Sequence, residues 1–118
     1  MTARFFLAFA AVACSAEPAL AHAFLQHADP GAGTNFPTGR APKSVSLIFT
    51  ERLEPAFSGM AVIDGSGRSV ATAPVVIGGN SMMVPLRPLS PGRYRVAWHV
   101  VSVDTHRTEG AYSFAVKP

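Results

Sequence analysis

From Arg93 to Val103 the chain alternates with a period of two: Tyr94, Val96, Trp98 and Val100 fall on one side, Arg93, Arg95 and His99 on the other. Successive side chains of a strand point to opposite faces, so this pattern describes a strand that is apolar toward a core and charged toward water. The rest of the chain repeats the theme in shorter pieces. Residues 44–50 (Ser-Val-Ser-Leu-Ile-Phe-Thr) are β-rich and entered from Pro42, and residues 59–63 (Gly-Met-Ala-Val-Ile) close on the turn signal Asp64-Gly65-Ser66-Gly67. Residues 74–77 and 82–86 flank Gly78-Gly79-Asn80, the pattern of a hairpin tip. Residues 111–116 set Tyr112, Phe114 and Val116 on one side, and residues 23–26 add an opening segment. No stretch has a helical period with caps, and no internal repeat is evident. The expected fold is all-β: a small Greek-key barrel or sandwich of about seven strands, immunoglobulin-like in its turn spacing.

The first 21 residues do not belong to that scheme. Arg4 is followed by an apolar run over residues 5–13, and Ala19-Leu20-Ala21 fits the small-x-small rule for signal-peptidase cleavage. The run is too short to span a bilayer, so residues 1–21 are predicted to be a removed export signal and residues 22–118 the mature domain. Processing at Cys14 as a lipoprotein is the rival, but the position three before it is Ala11 where a leucine is usual. Cleavage after Ala21 leaves 97 residues, one small domain, and removes Cys14, the only cysteine. Disulfides then contribute nothing, and stability must come from the core. Nine basic and six acidic side chains remain, scattered without a basic run, which argues against a nucleic-acid track. The mature protein is expected to be exported to the periplasm and to be a monomer.

Cleavage after Ala21 would also make His22 the first residue. A terminal histidine offers its α-amine and its ring Nδ1, which close one chelate ring on a metal ion. Asp104-Thr105-His106 supplies a second pair of ligands at the end of the long strand. In an extended segment residues two apart share a face, so a carboxylate and an imidazole could reach one ion from a rim loop. Together these give three nitrogens and one oxygen, a set suited to tetragonal Cu(II), which also heads the affinity order of the divalent first-row ions. Zn(II) could use the same ligands at the cost of the planar preference. Met60, Met82 and Met83 fall within expected strands, where core filling is their expected role.

These residues resemble the CopC family of periplasmic copper-binding proteins. The resemblance rests on His22-Ala23, Phe49-Thr50-Glu51, Ser58-Gly59, the run Trp98-His99-Val100-Val101-Ser102-Val103-Asp104-Thr105-His106, then Gly110 and Tyr112-Ser113-Phe114. It covers nearly the whole mature chain. It implies a Greek-key barrel similar to cupredoxins, and Cu(II) held by His22, Asp104 and His106, with Glu51 nearby as a weak ligand or hydrogen-bonding neighbour. Some members carry a methionine-rich loop for Cu(I), whereas residues 64–74 here contain neither methionine nor histidine. The resemblance therefore implies one Cu(II) site and a role in copper sequestration, resistance or delivery, with an inner-membrane CopD-type permease or other exported copper proteins as partners.

Other readings of the same residues are blander. His27 is expected in an exposed turn near Asp29-Pro30-Gly31, His99 at the surface or an edge, and Trp98 and Phe114 in the core. A histidine-brace copper monooxygenase also begins with a histidine, but it needs an open coordination position that Asp104 would fill. No Ser-His-Asp order, phosphate loop or catalytic carboxylate pair points to an enzyme. A metal-free immunoglobulin-like interaction module would need only the strand pattern.

Overall fold

The structure is a computed structural model that describes residues 23–118; the leader, Cys14 and His22 lie outside the described residues. Eight strands follow one another: β1 (Leu25–Asp29), β2 (Asn35–Phe36), β3 (Ser44–Phe49), β4 (Gly59–Ile63), β5 (Val76–Gly78), β6 (Ser81–Pro85), β7 (Gly92–Val101) and β8 (Arg107–Val116). A 3-10 turn at Pro55–Phe57 interrupts them. They form two four-stranded sheets, in the orders β1-β3-β6-β5 and β2-β8-β7-β4. Of the two forms expected, barrel or sandwich, the described residues adopt the sandwich, with no closed barrel.

Period-two patterning explains how the sheets face each other. Val45, Leu47 and Phe49 of β3, Met82 and Val84 of β6, Tyr94, Val96 and Val100 of β7, and Phe114 and Val116 of β8 all turn inward and are buried. Each buried aliphatic or aromatic side chain contributes about 1.5–3 kcal/mol, which is how a chain of this size holds together without disulfides. Phe114 stacks on Tyr94 at 5.5 Å between ring centroids and meets Phe36 edge-on at 6.0 Å. The Tyr94 hydroxyl donates to the Ser90 carbonyl four residues back, satisfying its polar end. Trp98 is half-buried at the side of this core, against Phe49 and Tyr112. Its ring lies over Gly110, its partner across the β7–β8 ladder, so closely that a Cβ there would sit 2.5 Å from the indole.

The turns are those the sequence indicates. Gly78 pairs with Ser81, leaving Gly79 and Asn80 as a two-residue loop, and Gly79 has the positive φ of +60° that the first position of a II′ turn requires. Asp64 caps its own loop, as described below. Other expectations need correcting. β8 begins at Arg107, not at residue 111, because its first residues pair with the end of β7, Arg107 opposite Val101. The opening strand spans Leu25–Asp29, later than expected, and His27 lies in it, opposite Ile48, so it is exposed on a strand and not in a turn. The two-residue β2 runs parallel to the end of β8. Met82 is buried as expected, but Met83 is 40% exposed, because the register that turns Met82 inward puts its neighbour on the outer face.

Candidate metal centre

The loop joining β7 to β8 is built on a serine. Along β7 the inward positions are Tyr94, Val96, Trp98 and Val100, and Ser102 continues that parity just past the strand. It is fully buried, the one buried polar side chain among the described residues. A hydroxyl there needs partners, and it donates to Oδ1 of Asp104. Its main chain closes the loop: the Ser102 N–H donates to the His106 carbonyl at 3.0 Å, and the Thr105 N–H donates to the Ser102 carbonyl at 2.8 Å. On the outer side the Val103 N–H donates to the Arg52 carbonyl and the Glu54 N–H to the Val101 carbonyl, tying the loop to the segment after β3.

Asp104 and His106 therefore share a tight turn and not the extended segment expected. Thr105 between them has φ +75°, a left-handed conformation uncommon for any side chain and costly for a β-branched one. The two side chains still meet. His106 Nδ1 lies 3.4 Å from Asp104 Oδ1, and the His106 N–H donates to the same oxygen at 3.3 Å. The Ser102 hydroxyl, helped by the His106 N–H and ring, holds the Asp104 carboxyl below its ordinary range. With Nδ1 turned to the carboxylate, Nε2 is the ring nitrogen directed away from it. The side chains of His106 and Asp104 keep 49% and 40% of their surface open to solvent, so an ion has access to both.

The beginning of the described chain comes to the same end of the sandwich. Ala23 is fully buried, and its carbonyl accepts a 2.7 Å bond from the hydroxyl of Thr108, two residues beyond His106. Phe24 exchanges bonds with Thr50: its N–H donates to the Thr50 hydroxyl and its carbonyl accepts from the Thr50 N–H, both at 2.9 Å. Thr50 precedes Glu51, which is half-buried in the bend after β3. Among the described residues no three histidine, cysteine, aspartate or glutamate side chains converge as a metal site, so Glu51 does not join Asp104 and His106 in such a group. His22, the remaining expected ligand, lies outside the described residues.

His99 is separate from this centre. It is on the outer face of its sheet as expected, but half-buried, its ring covering Gly59, where a Cβ would come within 2.9 Å of it. Ser102 and Thr50 entered the sequence reading only within the resembling motifs, with no role given to them, and Thr108 did not enter it. For Ser102 a signal existed: it is a hydroxyl residue that continues the inward series of the otherwise apolar β7 face, whereas Thr108 lies before the part of β8 that alternates. Thr50 carried none.

The fold and this end of it define a class: a small two-sheet β-sandwich that presents an aspartate and a histidine from a rigid hairpin loop, next to the start of its domain. The CopC domain matches residues 25–117. Relatives include Protein YobA of Escherichia coli K12, 41% identical over 101 residues, covering 82% of this chain and 80% of the relative. Copper resistance protein C of Pseudomonas syringae pv. tomato is 36% identical over 108 residues, covering 84% and 83%. Among solved structures, CopC from Methylosinus trichosporium OB3b superposes with a TM-score of 0.72 at 32% identity, over 82% of this chain and 95% of that one. PcoC, a methionine-rich copper resistance protein from Escherichia coli, gives 0.69 at 36% identity, over 82% and 100%. The chain belongs to the CopC family.

Proposed function

We propose that this protein binds a single Cu(II) ion in the periplasm and holds it for sequestration or delivery. The ligands are the α-amine and Nδ1 of His22, Nε2 of His106 and a carboxylate oxygen of Asp104, with Glu51 as a neighbour or weak ligand. The observation that carries this reading is the pinning of Ala23 to Thr108, on the strand that leaves the Asp104–His106 loop. Consecutive Cα atoms are about 3.8 Å apart, so residue 22 begins one such step from an anchored point beside the loop.

The donor chemistry fits copper. Imidazole and amine nitrogens with one carboxylate form a donor set that would suit Cu(II), and a half-exposed rim gives an entry path. The carboxylate is held deprotonated by Ser102, so its charge is available to a divalent ion well into acid. Orientation of His106 through its second nitrogen follows a common arrangement of ligating histidines. The chain carries four methionines in 118 residues and none in residues 64–74, which supports a Cu(II) site alone without a Cu(I) counterpart. If Asp104 joined the two histidines as a ligand, it would fill a position that oxygen activation needs open, which favours binding over catalysis. By kinship the recipient would be another exported or inner-membrane copper protein, such as a CopD-type permease.

Titrating the mature protein with Cu(II) and following electron paramagnetic resonance tests the set. The expected result is a type-2 signal with nitrogen hyperfine structure that changes when the α-amine is blocked. A signal indifferent to blocking would overturn the terminal chelate.

A further inference from the structure

The proposed ligands come from two parts of the chain that have no covalent proximity: the amino terminus and the β7–β8 loop. Thr108 links them, its hydroxyl bonded to the Ala23 carbonyl across 85 residues of sequence. We infer that Thr108 is a positioning residue for the amino-terminal ligand: with Thr50, its hydroxyl clamps Ala23 and Phe24 so that residue 22 is delivered to the Asp104–His106 loop. The inference rests on the Cu(II) reading above.

A peptide held at one point can pivot about it, whereas one held from two sides cannot. Thr108 grips the Ala23 carbonyl from β8, in one sheet. Thr50, at the end of β3 in the other sheet, accepts from the Phe24 N–H, the other polar group of that same peptide unit, and its own N–H donates to the Phe24 carbonyl. The Ala23–Phe24 peptide unit is held at both its polar groups, and Ala23 itself is fully buried and has no rotamer to vary. The chain thus leaves Ala23 with its position and direction both set. Thr108 stands opposite Val100 on the inward face of β8, two residues from His106, which is roughly 7 Å along a strand. The terminus and the loop are therefore referred to the same short piece of backbone. Apolar packing alone would be met by valine at this position, which has the same shape, suits a strand equally and lacks only the donor. A flexible terminal residue would lose freedom on closing its chelate ring, and a preset one loses less, so the clamp raises affinity without contacting the ion.

The test uses the mature protein with Thr108→Val and Thr108→Ser, each with a free and with an acetylated α-amine. Cu(II) affinity is measured by competition with a chromogenic chelator, alongside the paramagnetic resonance spectrum and the melting temperature of the metal-free protein. Loss of a group that orients a ligand lowers metal affinity about 10- to 100-fold, and that is the expected result for Thr108→Val. Thr108→Ser should stay close to the unmodified protein, and acetylation should erase the difference between Thr108→Val and wild type, because the clamp acts only through the terminal amine. If acetylation weakens wild-type binding but Thr108→Val does not, the clamp is wrong and the chelate stands. If acetylation leaves wild-type affinity unchanged, the chelate itself is wrong. A Thr108→Val protein that melts earlier but binds copper with wild-type affinity and spectrum shows Thr108 to be structural only, and overturns the inference.

Discussion

Asp64 and Asp104 occupy two tight loops that are wired almost alike. In each, Oδ1 collects the local donors: at Asp64 the Ser66 N–H and hydroxyl and the Arg68 N–H, at Asp104 the Ser102 hydroxyl and the His106 N–H. Both carboxyls are held below the ordinary range, in both cases chiefly by a serine hydroxyl. The last partner differs. Asp64 also has Arg87, whose guanidinium approaches Oδ2 at 3.5 Å and cannot lose its charge. Asp104 instead faces the imidazole of His106, a side chain whose nitrogens are themselves metal ligands. One loop is closed by a permanent cation and reads as a turn. The other sets its carboxylate beside a second ligating side chain, next to the anchored start of the domain. A perturbed carboxylate alone therefore does not mark a binding site; the ligating partner beside it is what distinguishes the two.

Substitutions can break this contrast in order of expected size. The largest effect belongs to the terminus: His22→Ala, or one residue added before His22, should lower Cu(II) affinity by orders of magnitude in a competition assay, and retained affinity would refute the ligand set. Asp104→Asn and His106→Ala should each weaken binding by at least the 10- to 100-fold typical of residues that merely orient ligands, about 1.4–2.8 kcal/mol. Asp64→Asn should leave copper affinity unchanged and lower only the melting temperature. If the two aspartates behaved alike, the distinction would be lost. Cu(II) at 100 times its dissociation constant should stabilise the protein by about 2.7 kcal/mol, on the order of 10–20 °C in Tm, read by calorimetry, and the same concentration should stabilise the His106→Ala variant by no more than about 0.4–1.4 kcal/mol.

Smaller effects sharpen the same comparison. Gly110→Ala pushes a methyl into the Trp98 ring, which overpacking places at about 1–3 kcal/mol of destabilisation in a denaturant melt, with copper affinity at 25 °C little changed if the loop is independent of the ladder below it. Protons compete with copper for the amine and both imidazoles, so affinity should fall as pH falls, with the Asp104 carboxylate the last ligand to be protonated. Without metal, Asp64 works the same way on stability. Its folded pKa is depressed, so its contribution is present above the ordinary carboxylate range and fades as pH drops through the folded value. Acid titrations of wild type and Asp64→Asn should differ only in that low window.

Much of the fold was legible because alternation is a local property. β3, β4 and β7 announce themselves in Val45-Ser46-Leu47, Gly59-Met60-Ala61-Val62-Ile63 and Tyr94-Arg95-Val96, and the turn at Gly79 follows from glycine's freedom at positive φ. β2 was not legible: two residues carry no period, and they count as a strand only because the end of β8 lies beside them. The first four residues of β8 were missed because Arg107-Thr108-Glu109-Gly110 has no hydrophobic alternation and is held by its ladder to β7. Met83 and His99 were misjudged in opposite directions for one reason, that exposure depends on what the register places across the strand.

The residue types that make this chain a plausible copper protein, a histidine behind a cleavage rule and a D-x-H pair after a long strand, are written in the sequence by itself, since they are matters of identity and spacing. What the tertiary structure decided is how they are held. A buried Ser102 and a left-handed Thr105 fold the pair into a turn, and Thr108 and Thr50 bring the first residues of the domain to it from opposite sheets. The contacts of Thr50 and Thr108 join residues 26 and 85 positions apart. No local pattern records them, because they exist only once two sheets have packed and their inward hydroxyls have had to find partners.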